Sequence, residues 1–217
     1  MSTIKVDTIA TRTGSGNITV SNNIAGAGTI SGTNITASGT LGVTGETTLT
    51  GGAKVDTLKH TGGTTGLTID SSGRVSTPVR PAFQCKKSSS QTSSGTFETV
   101  TWDAPVLNAG GHFSNNKFTV PLAGLYVFNC VWLSVNDSLA HDVLLAKTPS
   151  GGSSTALVRT RNATVGLHET VNLHYVGQFS VSDTVEIQIA GSGQKIYGDA
   201  GGGDNYAWTT FMGYFLG

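Results

Sequence analysis

One segment restricts this chain more than any other. In an extended backbone, side chains alternate between two faces. Over residues 124–135 that puts Leu125, Val127, Val131, Leu133 and Val135 on one face and Tyr126, Phe128, Cys130 and Trp132 on the other. A strand apolar on both faces has to be covered on both, yet a two-sheet sandwich turns only one face inward. The other face is therefore expected to meet another subunit. Residues 207–216 repeat the pattern, with Phe211 and Phe215 on one side and Met212, Tyr214 and Leu216 on the other. Two other segments alternate. In 171–181, Val171, Leu173, Tyr175, Phe179 and Val181 oppose Asn172, His174, Gln178 and Ser180. In 184–190, Val185, Ile187 and Ile189 oppose Thr184, Glu186 and Gln188. Both read as half-buried antiparallel strands.

These segments lie in a region set apart by composition. All eight Phe, three Trp and five Tyr fall between Phe83 and the C-terminus, a stretch of normal size for a β sandwich. Gly73, Pro78 and Pro81 punctuate its start. Turn clusters divide it into short strands expected near 82–87, 97–103, 117–121, 124–135, 141–148, 155–161, 169–181, 184–190 and 207–216. No ten-residue stretch carries the apolar spacing of an amphipathic helix.

Upstream, Ile18, Ile24, Ile30, Ile35, Leu41 and Thr47 recur every five or six positions, separated by Gly, Ser, Thr, Asn and Ala. Val20, Ala37, Val43 and Leu49 follow at two-residue offsets, which is strand-like. Lys5-Val6-Asp7-Thr8-Ile9 returns as Lys54-Val55-Asp56-Thr57-Leu58, and repeated short β units suggest a fibre. One such strand has too thin an apolar edge to offset its ordering entropy. Three parallel copies could bury that edge on a common axis, so the stalk is expected to need trimerisation.

Charged residues make up 12% of the chain and the formal net charge is zero, so no nucleic acid or anionic membrane is implied. The 30 glycines lack a G-X-Y period, which excludes collagen. Residues 1–5 open no signal peptide, and no apolar run approaches bilayer length. Synthesis in a cytoplasm without membrane insertion is the expectation.

Residues 82–216 resemble a C1q/TNF-type jelly roll. Pro81-Ala82-Phe83 resembles the family's opening strand. Phe118-Thr119-Val120-Pro121 followed by Gly124-Leu125-Tyr126-Val127-Phe128 resembles its most specific string, Phe-x-x-Pro-x-x-Gly-x-Tyr-x-Phe. Ser182-Asp183-Thr184-Val185 sits where the family usually has Gly-Asp-x-Val, and Phe211, Gly213, Tyr214, Phe215 and Leu216 resemble its closing strand. The resemblance implies a ten-strand jelly roll and a tight homotrimer with an aromatic interface. Tyr126, Phe128, Trp132, Phe211, Tyr214 and Phe215 are its candidate interface and core residues. The expected fold is thus all-β: a virion-docking segment at 1–15, a repetitive trimeric fibrous β stalk at 16–80, and a C1q/TNF-like jelly-roll β-sandwich head at 81–217.

The stalk resembles the N-terminal part of virion appendages of tailed bacteriophages, especially marine ones, in Ile4–Ile9, Gly16–Val20 and Thr40–Thr44. That resemblance implies a phage fibre. Ile4, Val6 and Ile9 would dock on another virion protein, and the head would contact a host surface glycan or protein. A capsid or collar decoration with a purely structural role is the alternative.

The resemblance also sets the first and last head strands antiparallel, which places the Gly191–Tyr206 loop at the tip. Lys195, Tyr197, Asp199, Asp204, Asn205 and Tyr206 are its candidate ligand contacts, being side chains common in glycan and protein recognition. Asp199 and Asp204 lack the dense spacing of a calcium loop, and His60, His112, His141, His168 and His174 form no zinc pattern. No metal or cofactor is expected. The carboxylate pairs Glu98/Asp103 and Asp137/Asp142 could serve glycoside cleavage, but nothing around them in the sequence suggests a pocket, so the expectation is no enzyme activity. Cys85 and Cys130 fall in apolar strand patterns and read as buried thiols, with a disulfide left open.

Overall fold

The structure is a computed structural model describing residue 40 and residues 42–134, 141–162, 169–198 and 207–217. The docking candidates Ile4, Val6 and Ile9 and most of the repetitive stalk lie outside the described residues. The chain divides into two compact units, Met1–Ala53 and Lys54–Gly217. The described part of the first is exposed and carries no strand. The second begins well before residue 81 and holds every described strand. No helix is found among the described residues.

The second unit opens with a three-stranded antiparallel sheet of β1 (Thr57–Lys59), β2 (Thr65–Ile69) and β3 (Val75–Ser76). Leu58 pairs with Leu67 and Ile69 with Val75, so these four side chains share one face, with Thr57 and Thr68 on the other. None of the four is buried. Residues 57–76, read as stalk, therefore fold back as a meander within one chain rather than running on as a single extended strand. The Gly63 and Gly73 turns, both at positive φ, allow the reversals.

The head follows with thirteen strands: β4 (Ala82–Lys86), β5 (Gln91–Thr92), β6 (Glu98–Thr99), β7 (Leu107–Ala109), β8 (Phe113–Ser114), β9 (Lys117–Thr119), β10 (Gly124–Leu133), β11 (His141–Thr148), β12 (Thr155–Asn162), β13 (Thr170–Phe179), β14 (Thr184–Ala190), β15 (Lys195–Ile196) and β16 (Thr210–Phe215). One sheet has the order β13-β10-β16-β4-β7. The other has the order β12-β11-β14-β9-β8, with β6 also pairing β14. Apart from the hairpins β11–β12 and β8–β9, neighbouring strands are non-consecutive, and all pair antiparallel, which makes this a jelly roll.

The core between the sheets is aromatic. Phe83 stacks on Phe113 and Phe118 with centroids 4.7 and 4.9 Å apart and meets Phe211 edge-on at 4.8 Å. Tyr126, Phe128, Cys130 and Trp132 of β10 all point into it. The hydroxyl of Tyr126 donates to the Leu122 carbonyl at 2.9 Å, so a polar tip on a buried ring is satisfied. Two glycines of the family-like strings have a steric reason. A Cβ on Gly213 would sit 2.5 Å from the Phe128 ring and 2.8 Å from that of Phe83, and one on Gly124 would sit 2.6 Å from Phe215.

The strand directions give the head two ends. The proximal end carries Ala82, Gly124, Phe179 and Phe215, and the distal end carries Lys86, Leu133, Thr170 and Thr210. The chain enters from residues 54–81 at the proximal end, where Thr77, Val79, Arg80 and Pro81 line a depression with Gly66, Leu122 and Phe215.

Candidate functional site

The outward face of the β13-β10-β16-β4-β7 sheet is the first candidate. Register alignment sets Val176, Val127, Tyr214, Ala82 and Ala109 in one row across all five strands. The next row is mostly polar, with His174, Asn129, Met212, Gln84 and Leu107. Tyr214 is 42% exposed and Leu107 47%. Among the described residues no carboxylate occupies an outward position of this sheet.

Most of the candidate interface and core residues belong to the core. Tyr126, Phe128, Trp132 and Phe211 are at most 1% exposed and belong to the head's own core, so they cannot line a surface between copies. Phe215 is half-buried against that core, and Tyr214 alone of the six is exposed. β10 is apolar on both faces, and the larger rings go inward because the space between the sheets takes them. The aliphatic set, Leu125, Val127, Val131 and Leu133, is left outward.

The distal end is the second candidate. Lys195 and Ile196 form β15 against β5, which fastens the 191–198 segment to the 87–94 loop. The Tyr197 amide donates to the Leu133 carbonyl at 2.8 Å, its carbonyl accepts from Thr209 Oγ1 at 2.8 Å, and the Gly198 amide donates to Ser90 Oγ at 3.1 Å. Tyr197 and Trp208, with Leu133 and Thr170, line a depression of about 260 Å³. Trp208 is 51% exposed. The sequence reading placed it in the last strand, whereas β16 begins only at Thr210. Asp199, Asp204, Asn205 and Tyr206 lie outside the described residues.

Lys87 braces this end from inside. Its ammonium donates to the Thr101 carbonyl at 2.6 Å, to Thr101 Oγ1 at 3.0 Å and to Gln91 Oε1 at 3.2 Å. Burial pulls its pKa down, and the charge of Asp103 opposes that pull.

A larger cleft, of about 460 Å³, opens on the outward side of the second sheet near its distal edge, lined by Gly95, Thr96, Phe97, Asp142, Arg161, Ala190 and Gly191. Asp142 is directly opposite Arg161 in the β11–β12 register. Arg159, one diagonal away, takes the Asp142 carboxylate at two points, with Nε 2.6 Å from Oδ1 and Nη2 on Oδ2. The Arg159 guanidinium also lies 5.1 Å from the centroid of the Phe97 ring. The cleft was not visible in sequence, because its residues come from separate elements and meet only through strand register.

Among the described residues, the carboxylates considered for catalysis each have identifiable partners. Asp142 is the ion-pair partner of Arg159. Glu98 accepts from the Ser94 amide at 2.9 Å, and Asp103 accepts from Ser88 Oγ at 2.9 Å. Asp137 lies outside the described residues. Glu186, expected on the solvent face of β14, is 3% exposed. Thr99 Oγ1 donates to it at 2.5 Å, Lys117 Nζ lies 3.1 Å away, and Gln188 Nε2 donates at 3.0 Å.

Cys85 and Cys130 both neighbour Phe211 from opposite sides. They stand two strand spacings apart, roughly 9–10 Å, beyond the reach of a disulfide, and both are free and buried. Burial, with a contribution from Asp103, pushes the Cys85 thiol up to about 12, and burial raises Cys130 further. Among the described residues no group of His, Cys, Asp and Glu could hold a metal ion.

Comparison with solved structures agrees with the topology. Crystal structures of murine APRIL, a TNF-family protein, determined at pH 8.0 and pH 5.0 superpose with TM-scores of 0.51. They share 14% identity and cover 63% of this chain and 99% of theirs. The globular domain of zebrafish complement 1qA protein is 16% identical, with a TM-score of 0.47, over 63% of this chain and 98% of its own. At these identities the likeness to APRIL is one of fold, a TNF-like jelly roll. No protein-family model matches the chain, and no curated protein matches it.

Proposed function

We propose that this protein is a homotrimeric fibre of a tailed-bacteriophage virion, docked on the particle through its N-terminus, whose head contacts the host cell surface and acts by binding rather than by catalysis. The observation that carries this reading is the row Val176, Val127, Tyr214, Ala82 and Ala109 on an outward sheet face, in which Val176 and Tyr214 are exposed in a single chain while Val127 is already buried between them and the two alanines are half-buried. A second copy is the occupant best suited to it. The face has no carboxylate and little charge, so identical copies meet there without strong like-charge repulsion. The apolar side of the β1–β3 sheet adds a second uncovered surface in the same unit. The fibre reading also draws on the polarity of the head: the chain enters at the proximal end, and the exposed aromatics Trp208 and Phe97 lie toward the other. Several weak contacts on one particle would add by avidity. Among the described residues no helix is long and apolar enough to cross a membrane.

Light scattering on the purified chain tests the assembly. We expect three times the 22.3 kDa chain mass at micromolar concentration, falling to a single chain when Tyr214→Glu and Val176→Glu are combined. A wild-type monomer contradicts the proposal. Adding purified protein to host cells before infection tests the function. Blocked adsorption supports host contact, whereas a virion-bound protein that leaves adsorption unchanged favours the decoration role.

A further inference from the structure

The cleft on the outward side of the second sheet has features that the docking of copies does not use. We propose that it is a subsite for an acidic sugar residue, with Arg161 taking the carboxylate and Phe97 stacking against the apolar face of the ring. This rests on the reading of the head as a surface-binding module and names the chemistry of its ligand.

Three observations carry it. The first is an imbalance of partners. Arg159 and Arg161 project from the same face of β12, and one carboxylate, Asp142, faces them from β11. Arg159 holds that carboxylate with both prongs of its guanidinium. The Arg161 side chain has no hydrogen bond or ion pair with any described residue, so its planar fork of donors is open toward the cleft it lines. Because Asp142 is already neutralised, it does not repel an incoming anion at close range. The carboxylate of Glu98, next to Phe97 in sequence, is engaged by the Ser94 amide.

The second is an exposed aromatic held in place. Phe97 is 42% exposed, and the Arg159 guanidinium lies against its ring. Its loop is fastened on both sides. The Ser93 amide donates to the Gln194 carbonyl at 2.6 Å, the Gly193 amide donates to the Ser93 carbonyl at 3.1 Å, and β6 joins β14 directly after it. A preset ring loses little entropy when a ligand stacks on it.

The third is room. Gly95 and Gly191, at φ of +119° and +110°, contribute no side chains to the cleft, and its volume lies in the range of small-ligand sites. A planar carboxylate beside a ring with an apolar face matches a guanidinium beside a phenyl ring. A neutral sugar leaves Arg161 unused.

Calorimetric titration of the full-length protein with oligogalacturonate, with galactose oligomers of equal length and with inorganic phosphate tests the site. Oligogalacturonate should bind, and Arg161→Gln and Phe97→Ala should each weaken it by about tenfold or more. Arg161→Lys should retain part of the affinity, and Trp208→Ala, at the other depression, should leave it unchanged. Equal binding of the neutral oligomer, undiminished binding by Arg161→Gln, or phosphate binding without oligogalacturonate binding each overturns the proposal. A protein that blocks adsorption without binding oligogalacturonate overturns this site alone. Binding through Arg161 by a protein that is absent from the virion supports the site and overturns the fibre reading.

Discussion

The small β1–β3 sheet and the jelly-roll head are built from the same extended backbone, yet they are held together differently. In the head each sheet sends its apolar face into a shared core of interlocking rings, where Phe83 alone meets Phe113, Phe118, Phe128 and Phe211. In the small sheet Leu58, Leu67, Ile69 and Val75 also share a face, but among the described residues Leu58 and Val75 stay exposed and Leu67 and Ile69 are only half-buried. Alternation therefore marks where a strand has an apolar side and does not say what covers it. The inner faces of the head's two sheets cover each other, whereas this short three-stranded ribbon has no second sheet packed on its apolar face among the described residues.

The largest test of that difference is Phe83→Ala against Leu58→Ala. Emptying the Phe83 site should destabilise the head by about 3–5 kcal/mol, read by chemical denaturation. Leu58 is 53% exposed, and its truncation within one chain should stay within about 0.5 kcal/mol. If its face meets another copy, the Leu58→Ala effect becomes larger and depends on protein concentration, which locates the missing cover.

Paired glycine substitutions sharpen the contrast with a smaller effect. Gly213→Ala forces a methyl into the gap between Phe83 and Phe128 and should cost about 1–3 kcal/mol. Gly66→Ala in the small sheet meets its nearest atom, the Leu58 carbonyl oxygen, at 3.7 Å, an ordinary contact. Its effect on the denaturation midpoint should be slight. Equal losses at the two positions would mean that the sheets are equally close-packed.

The smallest effect is electrostatic and confined to the head. Asp183, 3% exposed in the β13–β14 turn, has two opposing influences: burial raises its pKa, while Lys147 Nζ at 2.7 Å and the Ser180 amide at 2.8 Å lower it, and the lowering wins. A carboxylate whose folded pKa lies below its unfolded value stabilises the fold above the unfolded value and loses that contribution as pH falls through the folded one. The head should therefore weaken below about pH 4, near the ordinary Asp value, and Asp183→Asn should flatten that part of the curve while lowering stability at pH 7 by about 1.5–3 kcal/mol. An unaltered acid limb in Asp183→Asn would show that other carboxylates govern it. The same turn explains the departure at residue 182: Ser182 has φ of +69°, a left-handed position that glycine occupies without strain.

Much of the head was legible because its strands are long and its breakers distinct. β4, β11, β12, β13, β14 and β16 lie within a few residues of where alternation and turn residues put them. The short strands β5, β7, β8 and β15 were not, since two or three residues carry no period. The half-buried reading of β13 holds. That of β14 fails at Glu186, because whether an outward carboxylate is solvated depends on Thr99 and Lys117 arriving from other strands. Of the candidate tip contacts, Lys195 and Tyr197 lie at the distal end, while Phe97, Arg161 and Trp208 went unnoticed, a single exposed aromatic or arginine having no signature of its own.

The amino-acid order alone indicated that the described part of the chain is built of β-strands, that its aromatic part begins after Pro81, and that β10 is apolar on both faces. These depend on local backbone geometry and on the aversion of apolar side chains to water, which neighbours in sequence suffice to express. Only the tertiary structure decided which face of β10 turns inward, that Asp142 goes to Arg159 and leaves Arg161 open, and that Cys85 and Cys130 are held apart by a strand. Those outcomes depend on ring volume and inter-strand register, quantities that exist only once distant segments have met.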